Sequence, residues 1–180
     1  MSAPPPGASG SSGSSGPLVP VVLSLGSNLG DRAAALHAAV AALRAADGLL
    51  VDAVSAPLAS APVGEVLDQP EFLNLVVLAR TGLSPRALLH LCREVERRGG
   101  LDRSVKVPGG PRPIDVDVVA HGGTVLDEPD LVLPHPRAHE RAFVLAPWAA
   151  LDPAAVLPGP HGGPVRELLA RLAPPGGPLP

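Results

Sequence analysis

From Ile114 to Val119 the chain alternates apolar and acidic side chains, as Ile114, Val116 and Val118 interleave with Asp115 and Asp117. Alternation with period two is the pattern of a half-buried strand, so the aliphatic residues face a core and both carboxylates face away from it. Side chains at i and i+2 on one strand stand ~6.5–7 Å apart on the same face, close enough for two flexible carboxylates to converge on a hard cation. A merely solvated strand face would also hold two carboxylates. However, Asp is disfavoured in strands and like charges on one face repel, which favours a cation between them. Arg112, just upstream, carries a fork of donors suited to phosphate.

The rest of the chain supplies strands and helices for such a strand to pair with. Val19–Leu25 is a short β-branched run, followed by the turn Gly26-Ser27-Asn28-Leu29-Gly30-Asp31. Leu36, Val40 and Leu43 fall at helical spacing and end near Asp47-Gly48. Leu49–Leu58 and Phe72–Thr81 read as strands separated by a loop containing Pro62, Gly64 and Pro70. Ser84-Pro85 is a helix start, the apolar stripe Leu88, Leu91, Cys92, Val95 follows, and Gly99 can end it. Leu145–Leu151 and Val165–Leu172 read as short helices. The order β-α-β-β-α-β predicts an α+β, ferredoxin-like antiparallel sheet with helices packed on one face.

Composition bounds the folded unit and its partners. Fifteen of the first twenty residues are Pro, Gly or Ser, a composition that buries no apolar surface, and Gly10–Gly16 resembles an added linker. Residues 1–18 and the Pro/Gly-rich 174–180 are expected to be disordered tails, leaving one folded domain over 19–173. The net charge is −3 and no basic stripe exists, which argues against nucleic acid. Cys92 is the single cysteine, so neither an intrachain disulfide nor a cysteine zinc site is possible and a reducing cytoplasm is expected. No apolar run approaches a membrane span.

Other groupings could carry chemistry. Gly26–Gly30 lies between a strand and a helix start, where backbone N–H groups can hold an anion, although a tight turn is the plainer reading. Phe72 and Asn74 share a strand face, so an aromatic plane beside an amide could stack on a flat heterocycle and bond its edge; a core Phe with a strand-end Asn is the plainer reading. In Leu133-Pro134-His135-Pro136-Arg137-Ala138-His139-Glu140-Arg141-Ala142-Phe143, Pro136 argues against a helical His135/His139 metal pair. His135 and Arg141 as phosphate donors and Phe143 as a second stacking plane fit better.

Taken together, Gly26-Ser27-Asn28, Asp68-Gln69-Pro70-Glu71-Phe72-Leu73-Asn74, Gly110-Pro111-Arg112-Pro113-Ile114-Asp115-Val116-Asp117 and Leu133–Leu145 resemble, in that order, the 6-hydroxymethyl-7,8-dihydropterin pyrophosphokinase family of folate biosynthesis. The resemblance spans about Val19–Pro158. It implies transfer of diphosphate from ATP to the hydroxymethyl pterin with release of AMP. It implies a catalytic set of Arg103, Arg112, Asp115 and Asp117, with the two aspartates holding two Mg²⁺ ions. Gly26, Ser60, Ala61, Val63, Gly64, Phe72, Asn74 and Phe143 would bind the pterin, and Glu96, Arg103, Arg112, His135 and Arg141 would surround ATP. A cytoplasmic monomer is expected, without nucleic-acid or membrane partners. Three departures stand out: Gly100-Leu101-Asp102-Arg103 keeps only the second of the family's two arginines, Gly109 replaces its Trp, and Ala61 stands where proline is common. Leu101 and Gly109 keep open an alternative, a catalytically impaired pterin- or nucleotide-binding homologue. A structural domain with merely solvated aspartates is a third reading.

Overall fold

The computed structural model describes residues 17–62, 68–104 and 109–172. The expected tails 1–18 and 174–180 therefore lie outside the described residues, apart from Pro17 and Leu18. Strand β1 (Val19–Ser27) leads through Asp31, whose carboxylate accepts the Ala34 N–H at 3.0 Å as an N-cap, into helix α1 (Arg32–Arg44). Strands β2 (Leu49–Val54), β3 (Leu58–Ser60) and β4 (Phe72–Thr81) follow. Ser84 caps helix α2 (Pro85–Arg98) through the Ala87 N–H, with Pro85 at its first turn. Strand β5 (Asp115–His121) completes the main sheet.

The strand order is β2-β4-β1-β5, with β3 also on β4, and every pairing is antiparallel. This is the ferredoxin-like arrangement expected. The single strand anticipated over Leu49–Leu58 is divided at Ser55–Pro57. Pro57 has no N–H to give to a ladder, and Ser55 takes over the pairing, its N–H donating to the Val76 carbonyl and its Oγ accepting the Val76 N–H.

Period two sorts the strands onto two faces. Val21, Leu23, Leu25, Leu75, Val77, Val116 and Val118 join Leu36, Val40 and Leu43 of α1 and Leu88, Cys92 and Val95 of α2 in one core. Val22, Val76 and Val119 form the second core with helix α3 (Ala142–Leu151) and helix α4 (Val165–Leu172). Helices thus cover both faces, not one. The two late helices close the second face, because their apolar residues Val144, Leu145, Trp148, Val165, Leu168 and Leu169 need a partner surface. Helix α3 starts three residues before the expected Leu145, at Ala142. A hairpin of β6 (Leu126–Glu128) and β7 (Leu131–Leu133) and a small pair, β8 (Val156–Leu157) with β9 (Gly163–Pro164), complete the chain.

Candidate active site

At one end of the sheet the strands present polar residues on the face that carries α3 and α4. Register fixes three rows. Val76, Ser24 and Asp117 lie side by side on β4, β1 and β5; Asn74, Gly26 and Asp115 form the next row; Phe72 and Ser60 pair on β4 and β3 in the outermost. Neighbouring strands are ~4.8 Å apart, so the amide of Asn74 and the carboxylate of Asp115 flank a floor made by Gly26. A Cβ on Gly26 would sit 3.0 Å from Asn74 Oδ1 and 3.7 Å from Phe72 Cδ1. Glycine therefore keeps that floor open.

Both aspartates lie in these rows. Arg112 Nη1 donates to Asp115 Oδ2 at 2.7 Å and Arg141 Nη1 donates to Asp117 Oδ2 at 3.3 Å. The Arg112 guanidinium lies 5.6 Å from the Phe72 ring centroid, and that of Arg141 lies 5.6 Å from the Phe143 centroid. Arg141 is the N-cap residue of α3, and Phe143 lies in its first turn.

His135 approaches from the β7–α3 connection. Its N–H donates to the Val119 carbonyl, and its Nδ1 accepts the Arg137 N–H at 3.1 Å. An accepting Nδ1 leaves the neutral ring's proton on Nε2, which lies 3.7 Å from Asp117 Oδ2. Burial pushes His135 below the ordinary histidine value, and Asp117 opposes that shift.

Glu96, expected beside ATP, is fully enclosed on α2. One carboxylate oxygen accepts the Val116 N–H at 3.0 Å and the other accepts Arg103, through Nε at 2.8 Å and also through Nη2. Glu96 therefore pins β5 at the residue between the two aspartates and holds Arg103, which is itself 40% exposed. Burial pushes Glu96 above the usual carboxylate range, while the Val116 N–H and Arg103 hold it down.

Two residues outside the expected set tie the site's loops together. Asn28 donates from Nδ2 to Gln69 Oε1 at 2.9 Å and to the Pro70 carbonyl; its Oδ1 accepts the Arg112 N–H at 2.8 Å. Gln69 Nε2 donates to the Gly109 carbonyl at 2.7 Å. Both amides sit inside quoted motifs, but their partners are 40 or more residues distant in sequence, and no spacing rule connects them.

Of the expected pterin contacts, Gly26, Phe72, Asn74 and Ser60 come together, and Asn74 Nδ2 donates to Ser60 Oγ at 2.9 Å. Ala61 is exposed after β3. Val63, Gly64 and Lys106 lie outside the described residues. Leu101 is 7% exposed and packs in the first core. Asp102 accepts both the N–H and the hydroxyl of Ser104. Among the described residues no group of three His, Cys, Asp or Glu side chains could hold a metal ion unaided. Two carboxylates on one face do fit Mg²⁺, which commonly takes one or two carboxylates and completes its shell with waters and substrate phosphate oxygens.

Comparison with known proteins gives one answer. Residues 22–153 match the family model described as 7,8-dihydro-6-hydroxymethylpterin-pyrophosphokinase. The chain is 45% identical over 154 residues to a 2-amino-4-hydroxy-6-hydroxymethyldihydropteridine pyrophosphokinase of Methylorubrum extorquens, covering 86% of this chain and 94% of that one. It is 41% identical over 170 residues to the Mycobacterium bovis protein of the same name, covering 86% of this chain and 84% of that one. The Bacillus subtilis protein, also of that name, is 40% identical over 129 residues, 72% of this chain and 75% of its own. The chain belongs to the 7,8-dihydro-6-hydroxymethylpterin-pyrophosphokinase family.

Proposed function

We propose that this protein transfers the diphosphate of ATP to the 6-hydroxymethyl group of 6-hydroxymethyl-7,8-dihydropterin and releases AMP, a step of folate synthesis. One observation carries the reading beyond family membership. A carboxylate pair on one sheet face is joined by two arginines to an aromatic pair, Asp115 through Arg112 to Phe72 and Asp117 through Arg141 to Phe143.

Phe72 and Phe143 are the stacking planes for the flat pterin, and Asn74 and the Ser60–Gly64 segment read its edge. Gly26 admits the ring close to the backbone. Arg103, Arg112 and Arg141, with the Nε2–H of His135, receive the triphosphate. Asp115 and Asp117 would hold two Mg²⁺ ions, which when bound would supply charge neutralisation on the phosphate oxygens. The hydroxymethyl oxygen then bonds to the β-phosphorus, its proton passing to water, as the bond to the α,β-bridging oxygen breaks and AMP leaves with that oxygen. The residues supply positioning and charge stabilisation, the main sources of rate in phosphoryl transfer. Glu96 serves by holding Arg103 and the aspartate strand.

The setting proposed is a cytoplasmic monomer with ATP and the pterin as its partners, and neither nucleic acid nor membrane. No helix among the described residues is long and apolar enough to cross a bilayer. Nothing observed favours the impaired alternative, since Leu101 is a core residue and the Gly109 carbonyl anchors Gln69. Incubation with ATP, Mg²⁺ and the hydroxymethyl pterin is expected to yield AMP in proportion to pterin consumed. Folded protein at high concentration that forms none overturns the proposal.

A further inference from the structure

The ion pairs of the two aspartates are partly shielded from water on both partners. Other pairs among the described residues span both extremes: in Arg80–Asp52 the side chains are 51% and 38% exposed and in Arg171–Glu167 69% and 63%, whereas Glu96 is fully enclosed against Arg103. In Arg112–Asp115 they are 12% and 16% exposed, and in Arg141–Asp117 21% and 34%. Each arginine of the sheltered pairs also lies over one of the two phenylalanines. Two parallel chains result, Asp115–Arg112–Phe72 and Asp117–Arg141–Phe143, each joining the carboxylate side of the site to its aromatic side.

Sheltered charge pairs interact strongly because little water screens them. An arginine donating to a carboxylate oxygen therefore competes directly with a divalent cation for that oxygen. The cation would sit at about 2.0–2.1 Å from it, beside a guanidinium of like charge. The conflict disappears when phosphate arrives. The guanidinium then moves onto phosphate oxygens, for which its fork is equally suited, and the carboxylate passes to the cation. Every charge stays paired before and after.

We propose that Arg112 and Arg141 are resident counter-ions of the metal-binding aspartates, exchanged for divalent cation when nucleotide phosphates draw the two guanidiniums away. The inference rests on the nucleotide reading of the site and deepens it. The same arginines that favour the metal-nucleotide complex oppose the metal alone. The ligand-free site accordingly discriminates against bare cations, and cation and triphosphate bind cooperatively.

The test separates these two effects by sign. Free Mn²⁺, followed by its electron paramagnetic resonance signal, is titrated into folded protein without nucleotide. Mn²⁺ with α,β-methylene-ATP is then titrated by calorimetry. Loss of an adjacent opposite charge shifts a carboxylate by one to three pKa units, so Arg112→Gln is expected to bind Mn²⁺ alone about fivefold tighter or more and the nucleotide complex about tenfold weaker. Arg112→Lys, which keeps the charge, is expected to stay within about twofold of the unmodified protein for Mn²⁺ alone. Arg141→Gln repeats the test at Asp117 should Arg112→Gln melt early. Mn²⁺ affinity that is unchanged or lower in the folded glutamine variants overturns the exchange. Failure of the unmodified protein to bind the nucleotide analogue overturns the nucleotide reading instead, and the Mn²⁺ titration still reads the arginines' effect on the aspartates.

Discussion

The two faces of the sheet are made by the same strands, yet the strand residues of one are apolar along its length and those of the other only in part. On the α1/α2 face, Leu23, Leu25, Leu75, Val77, Val116 and Val118 continue one apolar surface. On the α3/α4 face, Val22, Val76 and Val119 start another, which gives way at the strand ends to Ser24, Gly26, Asn74, Asp115 and Asp117. The strand period is identical on both sides. On the second face α3 begins at Ala142, and Arg141 and Phe143 at its start stand beside the polar rows. Asp115 and Asp117 gain arginine partners there, as Glu96, enclosed on α2, gains Arg103. One face thus holds the fold, and the polar end of the other holds the candidate site.

That division can be broken in graded ways. The largest effect is expected from the site face. Asp115→Ala or Asp117→Ala should lower AMP formation about 10³-fold or more, since each removes a carboxylate of the proposed metal clamp, while the thermal midpoint changes little. The apolar face should behave oppositely. Leu23 is fully buried, and Leu23→Ala should cost roughly 2–5 kcal/mol in denaturant unfolding, with the rate per folded molecule retained. Gly99→Ala probes the seam between the two. A Cβ there would lie 2.5 Å from Ile114 Cγ2, so α2 or the start of β5 must shift, at about 1–3 kcal/mol. Because Ile114 precedes Asp115, turnover per folded molecule should fall further than in Leu23→Ala.

The smallest effect concerns pH. His135 is held below its ordinary value by burial, with Asp117 opposing and Arg141 assisting. Below that ordinary value the unfolded chain binds more protons than the folded one, so this contribution is present at neutral pH and is lost as pH falls through the ordinary histidine range. In metal-free buffer the denaturation midpoint should drop on acidification, and His135→Gln should remove that part of the slope.

Much of the site face was legible in the sequence because period two carries it. Asp115 with Asp117, and Phe72 with Asn74, are i and i+2 pairs, and the structure puts both pairs on one surface. The first helical layer was legible from caps and stripes. Glu96 was named only beside ATP; that it is enclosed, continuing the stripe of Cys92 at i+4, depends on its partners, the Val116 N–H and Arg103, which no spacing reveals. The Asn28–Gln69 clasp joins residues 41 apart, and periodicity says nothing of such pairs. Strands β6 and β7 are three residues each, too short to establish a period. The second helical layer was visible as two apolar segments, but which surface they covered depends on tertiary packing.

The destination of labelled phosphate tests the central claim most directly. With ATP labelled at the γ-phosphorus, the account predicts that the label appears in the pterin diphosphate and that the nucleotide product is unlabelled AMP, with both outcomes abolished in Asp117→Ala. Release of ADP, or of labelled inorganic phosphate without pterin diphosphate, would contradict it.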